Sequence, residues 1–224
     1  MNVDLVVVDD AEAAAREVAG RLAAAAREGK QIALTGGTTP KRAYELAAEL
    51  EPDWSRAAAW WGDERCVPPG DERSNYGLAK AALLDRLEQH PRVHRIQGEL
   101  DPNAAAAEYE AELRGTTLDL VLLGMGPDGH VASLFPRSPA LRETRHSVVA
   151  TAAGLAPFVE RVTLTLPALS SAHEVLFLVT GEEKAAAAGR AFAGGRRDDT
   201  PASLVRGGRT TAVLDRAAAR ELDI

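Results

Sequence analysis

The sequence predicts an α/β protein, a mostly parallel sheet with helices on both faces. Short runs of Val, Leu, Ile and Ala alternate with Ala-rich segments of helical period along the whole chain. Most strand-like runs are apolar throughout rather than on alternate residues, which is the pattern of strands covered on both sides. The 224 residues, 46% of them apolar, also suffice for one core, because a chain of this size buries about 70% of its unfolded surface. One domain over residues 1–224 is expected.

Residues 5–8 (LVVV) read as the first strand. Asp9 and Asp10 stand ready to cap a helix from Ala11, in which Ala15, Val18, Leu22 and Ala26 share one face. Residues 31–35 form the second strand, followed by Gly36-Gly37-Thr38-Thr39 and a helix opened by Pro40. Residues 57–62 are a third strand, and the charged stretch 63–73 reads as a loop leading to a helix over 75–87. Further strands fit residues 93–96, 118–124, 147–151, 161–165, 174–180 and 211–214. Further helices fit residues 103–113, 182–192 and 216–222. The segment 194–201 (GGRRDDTP) reads as a flexible loop, too short to link domains.

Composition excludes several classes of function. A net charge of −7 argues against nucleic acid as a partner, since phosphate backbones need a basic face. The single cysteine, Cys66, forms neither an internal disulfide nor a cysteine zinc site. Pro91 separates His90 from His94, so no helix aligns them on a metal. No apolar run approaches the ~18 residues of a membrane span, and the opening MNVDLVVVDD lacks the positive start of a signal peptide. A cytoplasmic protein, monomeric or weakly homo-oligomeric, is expected.

Open α/β sheets bind ligands beyond the carboxyl ends of their strands, and residues 36–40, 63–75, 124–136 and 181–184 fall at such ends. At the first, Gly36 and Gly37 let backbone N–H groups approach a ligand and Thr38 adds a hydroxyl at a helix N-terminus, a combination suited to phosphate or equally to a plain βα turn. Asp63-Glu64-Arg65 is a solvated charge run or, at a strand end, a site where Arg65 grips an anion and Asp63 orients a reacting group. Gly124–Gly129 (GMGPDG) matches G-x-G-x-x-G, but Pro136 and Pro139 leave no room for the long helix of a dinucleotide site. His130 follows in this loop, where an imidazole suits acid–base work. Lys184 in a first helical turn opposes the helix dipole unless an anion is near. Arg161, heading RVTLT, suits the same pocket.

Together the segments LTGGTTP (34–40), WGDERCVPPGDERSNYG (61–77), LLGMGPDGHVASLFP (122–136), RVTLTLPAL (161–169), LVTGEEKAAA (178–187) and PASLV (201–205) resemble the 6-phosphogluconolactonase family nearly end to end. The resemblance implies a modified Rossmann-like fold and a cofactor-free, metal-free hydrolysis of 6-phospho-D-glucono-1,5-lactone in the oxidative pentose phosphate pathway. It implies His130 as the general base, with Asp63 or the backbone of 126–129 positioning it or the lactone oxygen. Arg65, Arg161 and Lys184 would then hold the phosphate, and Gly36, Gly37, Thr38, Asn75, Gly126 and Asp128 would contact the rest of the substrate. Ser133 lies in ASLF rather than G-x-S-x-G, so direct attack by water is favoured over an acyl-enzyme. Two rivals stand beside this reading. A ring-opening amino-sugar-phosphate deaminase or isomerase would be expected to carry an acid a few residues past the histidine, where this chain has VASLFP. A non-catalytic sugar-phosphate sensor would be expected to carry a nucleic-acid-binding module, for which this acidic chain has no basic surface.

Overall fold

The structure, a computed structural model, describes residues 3–152, 154 and 158–222. Strand β1 (Asp4–Val8) leads into α1 (Ala11–Arg27), where the Asp10 carboxylate caps the helix by accepting from the Ala13 N–H at 2.8 Å. Strand β2 (Gln31–Leu34) leads to α2 (Thr38–Leu50), which starts two residues before Pro40. Strand β3 (Ala58–Trp61) is followed by β4 (Asp63–Arg65), α3 (Asn75–Ala82) and β5 (Arg92–Val93). Then come α4 (Pro102–Leu113), β6 (Leu120–Leu123), β7 (Val148–Thr151), β8 (Arg161–Leu164) and a short α5 (Leu166–Ser170) that the sequence reading lacks. Strand β9 (Glu174–Val179), α6 (Ala185–Ala188) and β10 (Arg209–Asp215) complete the chain.

Seven strands form one all-parallel sheet in the order β1-β10-β9-β6-β2-β3-β5. From β2 the chain moves outward to β3 and β5, then returns so that β6 lies on the other side of β2. That reversal makes the β2/β6 boundary the switch point, where a crevice opens beyond the strand ends. Helices flank the sheet: α1 and α2 pack on each other, and α1 lies against β1, β2, β9 and β10. Alanines at 14, 15, 19, 23, 25 and 26 form much of the buried face of α1 and permit close approach. The helix α4 lies instead against β7 and β8.

Several expectations are corrected. Strands β7 and β8 do not join the parallel sheet; with β4 they form a separate antiparallel sheet in the order β4-β8-β7. Residues 63–65 are therefore strand rather than loop, their charges having hidden a segment that tertiary pairing makes extended. The helix expected over 75–87 breaks at Leu83 (φ −123°), leaving a 3₁₀ turn at Leu84–Arg86. The helix expected over 182–192 is a 3₁₀ turn (Glu182–Lys184), the single turn α6 and a π-turn (Gly189–Ala193). Arg206 takes the Ala191 carbonyl at 2.8 Å, a tertiary partner in that widened turn. Residues 216–222 make isolated turns only, too short a stretch to propagate a helix. Among the described residues no helix is long and apolar enough to cross a membrane.

Candidate active site

Two buried tyrosines fix where the chain leaves the sheet. The Tyr44 hydroxyl on α2 accepts the Thr35 N–H at 2.9 Å and donates to the Thr35 carbonyl at 2.6 Å, just past β2. Tyr109 on α4 does the same for Trp61 at the end of β3, at 2.8 and 3.0 Å. Burial pushes both phenols above the ordinary tyrosine range, so both stay protonated donors. Beyond Thr35, a Cβ on Gly36 would fall on the Asn75 amide, and Gly37 has φ +104°, a conformation that glycine alone adopts cheaply. The helix α2 then begins with no side-chain cap, leaving its first amides unclaimed by any side chain among the described residues.

Strand β4 sorts its three charges by the two-residue period of a strand. Asp63 and Arg65 face the crevice at the switch point. Glu64 turns the other way and caps α3, its carboxylate accepting from Asn75 N–H at 2.7 Å, Tyr76 N–H at 2.8 Å and the Ser74 hydroxyl at 2.9 Å. Burial raises the Glu64 carboxyl above its ordinary range despite those bonds. Asp63, 4% exposed, accepts from the Ser133 hydroxyl at 2.6 Å and the Asn75 amide at 3.0 Å. The same Asn75 amide also donates to the Asp63 carbonyl at 2.9 Å.

Arg65 stands directly opposite Arg161 in the β4/β8 register. Like charges facing each other across strands destabilise a sheet, and burial together with the Arg65 charge lowers the Arg161 guanidinium below its ordinary value. Arg161 also lies over the Phe135 ring at 5.6 Å. One Arg65 N–H group donates to the Arg73 carbonyl at 2.7 Å, while its buried Nε has no hydrogen-bond partner among the described residues. A repelling cationic pair at the mouth of a crevice is stabilised by a bound anion.

The loop after β6 carries His130. Its Nδ1 lies 2.6 Å from the Asp128 carboxylate, which also accepts the His130 N–H at 3.1 Å. Partial burial works against the Asp128 charge, but the bonds and charge of His130 outweigh it and hold the carboxyl below the ordinary aspartate value. An ionised Asp128 requires hydrogen on Nδ1, so neutral His130 keeps its lone pair on Nε2. Gly126 makes this possible, since a Cβ there would fall on the imidazole and 2.5 Å from the Asp128 carboxylate. The amides of Gly126 and Gly129 donate to the His130 and Gly126 carbonyls, both at 2.9 Å. Both amides are thus bonded within the loop. Ala132 just beyond has φ +48°, a strained conformation of the kind that gathers at functional sites.

The crevice encloses about 220 Å³, below the ~300–1,000 Å³ of pockets for drug-sized ligands. Gly36, Gly37, Thr38, Asp63, Arg65 and Asn75 line it, together with Gly126, His130, Arg161 and Lys184. Asp128 is not among the residues lining it and instead borders a separate depression beside Phe135 and Glu143. Orientation of the imidazole thus falls to Asp128 rather than Asp63, whose carboxylate bonds Ser133 and Asn75. Two of the three glycines of GMGPDG serve packing: Gly126 admits the imidazole, and a Cβ on Gly129 would meet Thr200 at 2.8 Å. The sequence reading did not single out Thr180, which also lines the crevice, or the bond of Ser133 to Asp63. No local pattern marks either, because both arise from long-range packing. Among the described residues no three His, Cys, Asp or Glu side chains converge as metal ligands would, and burial pushes the Cys66 thiol up to about 11, leaving it unreactive near neutrality.

A cationic crevice at the switch point of a parallel sheet, with an oriented imidazole inside it, defines an α/β protein built around a small-molecule site. The chain belongs to the family of glucosamine-6-phosphate isomerases/6-phosphogluconolactonase, which it matches over residues 8–214. It is 40% identical to the 6-phosphogluconolactonase of Streptomyces coelicolor over 97% of this chain and 94% of that one. It is 39% identical to the human 6-phosphogluconolactonase over 90% and 84% of the two chains. Among solved structures, the 6-phosphogluconolactonase of Trypanosoma cruzi superposes with a TM-score of 0.88 at 26% identity, covering 100% of this chain and 99% of that one.

Proposed function

We propose that this chain hydrolyses 6-phospho-D-glucono-1,5-lactone to 6-phospho-D-gluconate, with His130 as general base. The observation that carries the proposal is the pairing of Asp128 with the Nδ1 of His130, an imidazole that lines the same crevice as Arg65, Arg161 and Lys184. That pairing leaves Nε2 as the basic nitrogen. Nε2 takes a proton from water as the water oxygen bonds to C1, and the carbonyl becomes a tetrahedral oxyanion. The C1–ring-oxygen bond then breaks, and the imidazolium returns the proton to the departing ring oxygen. Acid–base assistance of this kind contributes roughly 10²–10⁴-fold.

The cations divide the remaining work. The phosphate is held by Arg65, Arg161, Lys184 and the uncapped start of α2, which fixes C1 against the base. Asp63, anchored by Ser133 and Asn75, lines the same space and presents a fixed carboxylate edge to the sugar. The likeness to curated 6-phosphogluconolactonases over most of the chain supports this substrate, and the run Val131–Pro136 lacks the acid that ring opening of an amino sugar would use.

The test is acid release from freshly prepared phosphogluconolactone, compared with unphosphorylated gluconolactone. Faster turnover of the phosphorylated compound, and a His130→Ala variant that loses kcat while keeping KM, are the expected results. Ammonia release from glucosamine 6-phosphate, or full turnover by His130→Ala, would overturn the reading.

A further inference from the structure

Strand β10 ends in Asp215, a carboxylate only 6% exposed that does not line the crevice. Both its oxygens lie 3.1 Å from the Gly181 amide, and one also accepts the Ala218 N–H at 2.8 Å. Gly181 follows the neighbouring strand β9 and holds φ +98°, from which the 3₁₀ turn Glu182–Lys184 starts. The Lys184 amide closes that turn by donating to the Gly181 carbonyl at 3.1 Å. Lys184 enters the crevice with no ion pair among the described residues. The turn also carries the exposed Glu182–Arg220 pair, a kind of contact that contributes little, and Thr180 just before it donates to the Thr39 hydroxyl at 3.4 Å. Beyond the chain's own continuation from β9, the buried carboxylate thus ties the end of β10 to the start of the lysine-bearing turn.

From this geometry we infer that Asp215 is a positioning residue for substrate binding: by clamping the Gly181 amide it sets the turn that aims Lys184 into the crevice. The inference rests on the reading of Lys184 as a phosphate ligand. Asp215 touches neither His130 nor the space around it, so its removal acts on KM and not on the chemical step. A carboxylate–amide bond is a charge-assisted one, and its loss in Asp215→Ala is expected to raise KM for phosphogluconolactone about tenfold with kcat within about twofold.

The decisive arm is the double variant. If Asp215 acts through Lys184, Asp215→Ala has no further effect on KM in a Lys184→Ala background. An equal KM factor in both backgrounds, or a fall in kcat matching the rise in KM, overturns the inference. Should Asp215→Ala fail to fold by circular dichroism, Asp215→Asn keeps one carbonyl oxygen for the two amides. It is expected to raise KM about threefold, again only when Lys184 is present; wild-type KM in that variant overturns the inference. The two layers separate cleanly. Unchanged KM in Lys184→Ala alone defeats the phosphate reading, whereas a raised KM there with none in the Asp215 variants defeats only the role of Asp215.

Discussion

Gly126 offers the sharpest perturbation of the site. Its hydrogen occupies a place where a methyl group cannot stand, because a Cβ there would overlap the His130 ring and lie 2.5 Å from the Asp128 carboxylate. Ordinary contact begins at 3.4 Å, so in Gly126→Ala the Asp128–His130 pair gives way by roughly 1 Å. A displacement of that size in a catalytic group costs on the order of 100-fold. Overpacking of this kind also costs about 1–3 kcal/mol of stability. Arg65, Arg161 and Lys184, proposed above to hold the phosphate, are on other elements and stay where they are. Kinetics on phosphogluconolactone, followed by acid release, should therefore show kcat down about 100-fold with KM close to wild type. Gly124→Ala is the paired control within the same GMGPDG motif. A Cβ there meets nothing within 4 Å, so the imidazole stays in register and any loss appears in KM. A Gly126→Ala enzyme with wild-type kcat, or a Gly124→Ala enzyme with the larger loss of kcat, would refute the argument that Gly126 exists to admit the imidazole.

Other expectations are independent of this one. Asp128→Asn should lower kcat by about 10–100-fold through loss of the oriented tautomer, with acid release from phosphogluconolactone as the check and unchanged kcat as the result that refutes it. Because the Asp128 carboxyl is held below its ordinary value, its contribution to stability is present above the unfolded aspartate pKa of about 3.9 and is lost as pH falls through the lower folded value. Denaturant midpoints measured at descending pH should show a shallower acid loss in Asp128→Asn. Arg65→Met relieves the repulsion against Arg161, so KM should rise about tenfold or more while the melting temperature holds or increases; a marked drop in that temperature would count against the repelling pair. Tyr44→Phe strands the buried Thr35 N–H and C=O together. Urea unfolding should report a loss of about 1–3 kcal/mol, and a neutral result would show that the lock at the end of β2 is dispensable.

The sequence by itself determined the class of fold and the chemical inventory of the site. Short continuous apolar runs such as LVLL at β6 and VLFLV within β9 are the pattern of strands covered on both faces, and the residues that carry charge at the strand ends are visible as local exceptions. Local pattern also marks Asp10 as a cap and Gly37 as a turn. What pattern could not decide is anything set by long-range pairing. Asp63–Arg65 reads as solvated charge until β8 pairs with it, and only that register sends Asp63 and Arg65 one way and Glu64 the other. Arg65 and Arg161 are 96 positions apart in the chain and face each other solely because two short strands run antiparallel. Asp128 was legible as a polar loop residue, yet its bond to His130 Nδ1, and hence Nε2 as the basic nitrogen, depends on the room that Gly126 leaves for the ring. Side-chain chemistry is a property of the residue, whereas direction is a property of the packed backbone, and catalysis needs both.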